Sequence, residues 1–245
     1  EVVLTGIHLS SYGKERPENQ ENLLTLIQAV HQVGGIERIR LGSLEPGIIT
    51  EEFAAAISSL PKVCPHFHLS LQSGCTTTLK RMNRRYTAEE YREKCKILRK
   101  YYPAPALTTD VITGFPGETE EEFEESRSFV DSIHFYETHI FPYSKREGTK
   151  AAVMPDQLPE QIKKERSRVL IALGQERQRE YMEQFLGKKK EVLFEEQQKI
   201  QGQTYWTGHT MEYLKVAVIS EENLENKRVM VQLQNIIGQD LILAE

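Results

Sequence analysis

The chain is short of cysteine, of long apolar runs and of surplus positive charge, and each shortage excludes something. Three of its 245 residues are cysteine: Cys64, Cys75 and Cys95, 11 and 20 positions apart. That spacing matches no zinc or iron–sulfur pattern, so no metal ligands are expected among them. An odd count without a secretory leader reads as reduced thiols. No stretch approaches the ~18 uninterrupted apolar residues of a spanning helix. No basic start followed by an apolar region and a cleavage site supports secretion, so a cytoplasmic location without membrane contact is expected. Lys and Arg number 31 against 36 Asp and Glu, a net charge of −5. That balance argues against coating nucleic acid by bulk charge, while leaving room for a local basic docking face. A P-loop, G-x-G-x-x-G and G-x-S-x-G are all missing, and no nucleophile–base arrangement stands out, so the catalytic residues are unknown at this level.

What is present is an ordinary globular composition, 39% apolar and 27% charged, long enough for one large domain with a small appendage. The first two-thirds alternates short β-rich runs with amphipathic stretches. Glu1–Thr5 (EVVLT) reads as a buried strand beginning at residue 1, which predicts that the chain starts inside a larger fold. A helix is predicted from about Asn19 to Val33, with Leu23, Leu26, Ile27 and Val30 at helical spacing. Next come a strand at Arg38–Leu41, a helix from Thr50 to about Leu60 and a strand at His66–Leu71. Thr87 with Glu90, and Thr119 with Glu122, are capping boxes that open two more helices. Strands at Ala106–Ile112 and about His134–Phe141 complete five β–α alternations, and hence a parallel sheet, open or barrel-like. A longer helix runs from about Pro159 to Leu186. After Gly187 the short runs Lys188–Glu195, Leu214–Ile219, Arg228–Leu233 and Asp240–Leu243 alternate apolar and polar residues, which predicts a small antiparallel sheet or barrel. Two domains are therefore expected, 1–186 and 187–245.

Ligands of parallel α/β sheets bind at the carboxyl ends of the strands. Those ends read Thr5-Gly6-Ile7-His8, Gly42-Ser43-Leu44-Glu45-Pro46, Gln72-Ser73-Gly74, Asp110-Val111-Ile112-Thr113-Gly114 and Phe141-Pro142-Tyr143-Ser144. Each end carries small or polar groups, and two carry carboxylates, a pattern favouring a shared binding mouth over simple strand termination. Single motifs carry less. Gly114–Glu118 (GFPGE) alone reads as a strand-to-helix turn. His66 and His68 share a strand face, but with no third ligand in view they read as core or rim histidines. The basic run Lys80-Arg81-Met82-Asn83-Arg84-Arg85, followed by Tyr86, suits a phosphate or carboxylate as well as it suits a solvated helix face.

Taken together, VLTGIHLSSYG (Val3–Gly13), RIRLGSLEP (Arg38–Pro46), HFHLSLQSG (His66–Gly74), LKRMNRRYTAEEY (Leu79–Tyr91), TTDVITGFPGETEEEFEES (Thr108–Ser126) and HIFPYSKREGTKAA (His139–Ala152) resemble the methylthiotransferase family of radical S-adenosylmethionine (SAM) enzymes. The resemblance covers essentially the whole chain. It implies an α/β fold, a partial radical-SAM (β/α)6 barrel (strands two to six) followed by a small all-β TRAM barrel that grips RNA. TGIH, SLEP and HLSLQSG look like the branch acting on N6-threonylcarbamoyladenosine beside the tRNA anticodon. The family's other branches act on isopentenyladenosine in tRNA or on a ribosomal protein, and a non-catalytic nucleotide- or RNA-binding module is the rival outside it. The implied cofactors are SAM and two 4Fe-4S clusters. One cluster reduces SAM to a 5′-deoxyadenosyl radical, the other supplies sulfur, and an electron donor such as flavodoxin or ferredoxin is the implied partner besides the tRNA anticodon stem-loop.

By the same resemblance, Gly6 would face the methionine end of SAM, and Ser43, Glu45, Gln72 and Ser73 its amino-acid and ribose parts. Asp110, Ile112 and Gly114 would meet ribose and adenine, with Phe141, Pro142, Tyr143 and Ser144 also on the adenine. Arg84 or Arg85 would bind the methionine carboxylate or the substrate. Lys188, Lys189 and Lys190, with Tyr205 and Trp206, would bind RNA, while Tyr213 is the better candidate for that barrel's core. The family's C-x3-C-x2-C loop and its second cysteine set are not in this sequence. The resemblance therefore predicts a carboxy-terminal part that is inactive alone.

Overall fold

The computed structural model describes residues 1–15 and 21–245, and its chain divides into two compact units, Glu1–Gly174 and Gln175–Glu245. The first unit opens with β1 (Val2–Leu4), α1 (Leu23–His31), β2 (Ile39–Leu41), α2 (Glu51–Ser58) and β3 (His66–His68). It continues with α3 (Thr76–Arg81), α4 (Ala88–Tyr101), β4 (Ala106–Thr113), α5 (Glu120–Ile133) and β5 (Glu137–Pro142). The start of the predicted first helix, at Asn19, lies outside the described residues.

Local chemistry sets the helix starts. Asn22, Thr50, Thr87 and Thr119 each accept a backbone N–H of their own first turn, and at Thr87 and Thr119 the Glu three residues on closes the predicted capping box. Each such cap contributes about 1 kcal/mol. β1 pairs parallel with β2, and β3 with β4 and β4 with β5. Isolated parallel bridges, Ile39 to Val63 and Leu44 to Leu69, join the two groups. Strand order thus follows chain order throughout. The helices lie side by side in the same sequence, α1 on α2, α2 on α4 and α4 on α5, the layout of right-handed crossovers wound in one direction. Between the layers sits the core, with Ile27, Phe53, Ile57, Tyr91, Leu98, Phe129 and Ile133 from the helices. Ile39, Leu41, Phe67, Leu107 and Val111 meet them from the strands, with Leu69 just after β3. Each large side chain contributes about 1.5–3 kcal/mol by leaving water.

β1 departs from the sequence reading. Expected to be buried, it is half-exposed, with Val3 54% exposed. Among the described residues it pairs on one side only, so the continuous Val-Val-Leu run has no second neighbour to cover it.

α6 (Glu160–Glu183) crosses the division between the units. The second unit continues as β6 (Lys189–Ile200), β7 (Gln203–Thr210), β8 (Lys215–Val218), β9 (Arg228–Ile237) and β10 (Leu241–Ala244), closed into a barrel of order β10-β8-β7-β6-β9. Val192, Phe194, Trp206, Val216, Val231, Leu233 and Ile242 are buried in it. Closure removes every free edge. Two features differ from expectation. β7 was not foreseen, because QTYWTGHT is mostly polar or small, and β8 pairs with β10 in parallel rather than antiparallel fashion. Gly208 of β7 is required where β6 shifts register between Phe194 and Glu196, since a Cβ there would run into the Leu193 carbonyl.

Candidate functional site

The ends of β4 and β5, with the segment after β3, enclose a cavity of about 390 Å3. It is lined by Gln72, Asp110, Ile112, Phe115, Phe141, Pro142, Tyr143, Ser144, Arg146, Thr149 and Ala151. Its size falls in the range of small-molecule sites, which runs from about 300 to 1,000 Å3. Apolar walls with a carboxylate, a carboxamide, a guanidinium and three hydroxyl residues among them suit a flat, partly polar ligand. Backbone geometry builds it. Gln72 adopts a left-handed conformation (φ 75°), and its N–H and C=O bracket β4 by bonding Asp110 O (2.9 Å) and Ile112 N (2.9 Å). Two residues on, Gly74 packs so closely on α5 that a Cβ would lie 2.7 Å from Phe129 Cβ and from Ser126 O. The chain can leave the third strand here only through glycine.

Seven of the residues singled out from sequence line this one cavity: Gln72, Asp110, Ile112, Phe141, Pro142, Tyr143 and Ser144. The others lie elsewhere. Gly6 borders a separate cavity of about 550 Å3 at the first strand end, and Glu45 a third of about 430 Å3 beside His8. Ser43 is exposed, two residues after the end of β2. Ser73 is buried, and its hydroxyl accepts Cys75 N–H (3.2 Å), which keeps it in the local turn. Gly114 (φ 68°) faces Lys163, not the cavity, and its N–H donates to Glu118 Oε1 (3.0 Å). Arg84 reaches Glu45 at 3.9 Å, while Arg81 of the same basic run is tied to Glu122 and to the Pro116 carbonyl. Tyr86 anchors this run to the third strand end by donating to Ser70 O (2.7 Å) and Leu71 O (3.0 Å), and burial pushes its hydroxyl up to about 12.

The GFPGE turn is held by charge. Glu118 is buried and meets Arg166 at 2.7 Å, and Arg166 also donates to the Glu118 backbone carbonyl. Burial raises the Glu118 carboxyl above its usual range even though Gly114 N–H and Arg166 pull it down.

The sequence reading missed a third partner for His68. Register pairs His68 with Thr108 and Asp110 with His139. His68 Nε2 therefore lies 3.5 Å from Asp110 Oδ2, with the His139 ring stacked 5.9 Å from the His68 ring. A hydrogen bond from His68 holds the Asp110 carboxyl below the usual carboxylate range. No sequence spacing announces this group, because its members come from three strands.

The three cysteines are buried and separate. Burial pushes the Cys95 thiol up to about 12 and raises that of Cys75 as well, so both stay neutral, unlike a cluster ligand. Among the described residues no cysteine joins a metal-ligating group. These residues do not fit an iron–sulfur cluster.

Residues 14–130 match the Radical SAM superfamily. The chain is 41% identical over 235 residues to the threonylcarbamoyladenosine tRNA methylthiotransferase MtaB of Bacillus subtilis, covering 95% of this chain and 52% of that protein. It is 43% identical over 195 residues to the tRNA-2-methylthio-N(6)-dimethylallyladenosine synthase of Caldicellulosiruptor saccharolyticus, covering 80% and 41%. The chain belongs to the radical SAM methylthiotransferase family. It spans about half the length of these curated relatives. Among solved structures, the radical SAM enzyme coproporphyrinogen III oxidase (HemN) of Escherichia coli superposes with a TM-score of 0.51 at 17% identity, over 63% of this chain and 36% of that one, a likeness of fold alone. A radical SAM family member implies SAM, and the cavity's dimensions and mixed lining accommodate a nucleoside.

In the second unit, Lys188 and Lys189 are exposed and Tyr205 is half-buried; Lys188 and Lys190 both lie over the Phe185 ring (5.4 and 4.9 Å), and Lys190 is also paired with Glu212. The burial expected of two aromatics is exchanged. Trp206 is buried in the barrel, and Tyr213 stands half-buried, stacked 4.5 Å from the His209 ring. No helix among the described residues is long and apolar enough to cross a membrane.

Proposed function

We propose that this chain is the carboxy-terminal part of a tRNA methylthiotransferase that modifies C2 of N6-threonylcarbamoyladenosine, and that its strand-end cavity receives the adenosyl part of SAM. The observation that carries the reading is the convergence of Gln72, Asp110, Ile112 and Phe141–Ser144 on one cavity. Ile112, Phe115 and Phe141 offer apolar surface to a purine, and the Asp110 carboxylate, ionised at neutral pH, accepts from ribose hydroxyls. SAM, once bound, supplies the radical precursor and the methyl group. This chain's own residues bind and orient it, while Phe115 and Tyr143, packed edge to face at 5.4 Å, shield one wall from water.

The barrel of the second unit is read as TRAM-like, taking anticodon-loop RNA on Lys188, Lys189 and Tyr205 by phosphate contacts and base stacking. Because the cysteines do not fit a cluster, the chain alone is expected to bind SAM without cleaving it. The relative named for dimethylallyladenosine supports a second reading, with isopentenyladenosine tRNA as substrate. Nucleoside mass spectrometry of tRNA from a strain lacking the gene separates them. Loss of the 2-methylthio form of threonylcarbamoyladenosine supports the proposal; loss of the isopentenyl form, or of neither, overturns it.

A further inference from the structure

We propose that His68, Asp110 and His139 form a binding site for one divalent transition-metal ion of the Zn2+ or Fe2+ class, open toward the strand-end cavity. One ligand atom from each residue lies within 4.8 Å of the other two. The separation of His68 Nε2 and Asp110 Oδ2, 3.5 Å, is close to the ~3.3 Å between neighbouring ligands of a tetrahedral ion with bonds of about 2.0–2.1 Å. The His139 ligand atom, within 4.8 Å of the other two, needs to close by at most about 1.5 Å to complete that geometry.

Three features point to a built site rather than a lone histidine–carboxylate pair. The ligands stand on three neighbouring strands held in fixed register, His68 opposite Thr108 and Asp110 opposite His139, so backbone hydrogen bonds preset their spacing. Thr108 Oγ1 hydrogen-bonds His68 Nδ1 at 3.0 Å, which orients the ring and leaves Nε2 toward Asp110. Such an outer partner on the second ring nitrogen is the usual support of a metal-ligating histidine. A histidine–carboxylate pair also gives no reason for the His139 ring to lie nearly parallel to His68, 25° between planes, with its own ligand atom within 4.8 Å of the other two. Two imidazoles and a carboxylate suit a borderline ion, and with three protein ligands a coordination position stays free. Asp110 belongs both to this group and to the cavity wall, which places that free position where a bound molecule could reach it. Thiolates take no part, since the cysteines lie elsewhere.

The site rests on its own geometry and not on the adenosyl reading, and the test needs no SAM. The chelator-stripped chain is titrated with Zn2+ by calorimetry and with Co2+ by visible absorption. One ion per chain is expected, with the d–d bands of a low-symmetry Co2+ site. His68→Gln, Asp110→Asn and His139→Gln should each abolish that binding, Thr108→Val should weaken it about 10–100-fold, and His134→Asn, remote on the end of α5, should leave it unchanged. X-ray absorption of the Zn2+-loaded wild type guards against variants that fail to fold. A shell of nitrogen and oxygen with two imidazoles supports the site, and any sulfur in it overturns the proposal. No stoichiometric binding, or binding that survives Asp110→Asn or His139→Gln, overturns it as well.

Discussion

Arg166→Met tests whether the buried Glu118 carboxylate is tolerated because of its partner. In the native chain Arg166 and Glu118 have side chains 7% and 3% exposed, meet at 2.7 Å, and close the turn that ends β4. Removing one member of a buried ion pair costs about 3–5 kcal/mol, because the other charge is left behind. Two things place this variant near the low end, about 3 kcal/mol at pH 7. The Gly114 N–H still donates to Glu118, and a carboxyl already raised by burial can escape by taking a proton. The lost Arg166–Glu120 contact adds little, Glu120 being 75% exposed. The pH dependence has a definite sign. A carboxyl whose folded pKa lies above its unfolded value of 4.5 favours the folded state fully at pH below 4.5, and that contribution disappears as pH rises through the folded pKa. Arg166→Met raises the folded pKa further, so its penalty relative to wild type should shrink to about 1–2 kcal/mol by pH 5. Urea unfolding followed by far-ultraviolet circular dichroism reads the helical first unit, while the single tryptophan, Trp206, reports the barrel separately. The double variant Glu118→Gln/Arg166→Met should lose the pH dependence and recover much of the stability. An Arg166→Met penalty equal at pH 5 and pH 8 would refute the reasoning.

Four further outcomes follow from the same geometry. Gly74→Ala should destabilise the first unit by about 2 kcal/mol or more, since its Cβ would lie 2.7 Å from Phe129 Cβ and Ser126 O; a thermal melt checks it. Thr119→Ala, removing the hydroxyl that accepts Glu122 N–H while keeping the backbone N–H that donates to the Glu122 carboxylate, should cost about 1 kcal/mol in urea unfolding. Asp110→Ala should weaken S-adenosylhomocysteine binding, read by calorimetry, by at least about tenfold, while Ser73→Ala, whose hydroxyl serves a turn, should change it less than about threefold. Lys188→Ala/Lys189→Ala should flatten the salt dependence of anticodon stem-loop binding by about two charges, and Lys190→Ala, already engaged by Glu212, by less than one.

How much of this was legible in the sequence depends on the range of the interaction that fixes each feature. Helix starts at Thr87 and Thr119 were readable because cap and partner are three residues apart. The parallel order followed from alternation alone, since each strand here pairs with its neighbours in the chain. β7 was not readable. Its inward positions include Trp206 and Gly208 rather than a run of branched apolar residues, and what holds it is pairing on both sides, with β6 and β8. The burial of β1 was misjudged for the converse reason, because an apolar run records what a strand can bury and not whether a second neighbour is there to cover it.

The site divides along the same line. Strand-end positions were predictable as positions, but which side chains share a cavity depends on loop paths. Gln72 reaches the cavity through a left-handed turn, while Ser73, one residue on, is turned into its own backbone. The His68, Asp110 and His139 group shows the limit most clearly. His68 and His66 share a strand face and invite consideration as a pair, yet the partners that matter for His68 are 42 and 71 residues further along. They converge only because β3, β4 and β5 align in one register, and a slip of a single residue in β4 would turn Asp110 to the opposite face. Register is fixed by the buried alternation of Leu107, Thr109 and Val111 against the helices. Core packing, rather than any motif, therefore assembles the charged cluster at the mouth, and variants that loosen this alternation should disturb ligand binding before they unfold the chain.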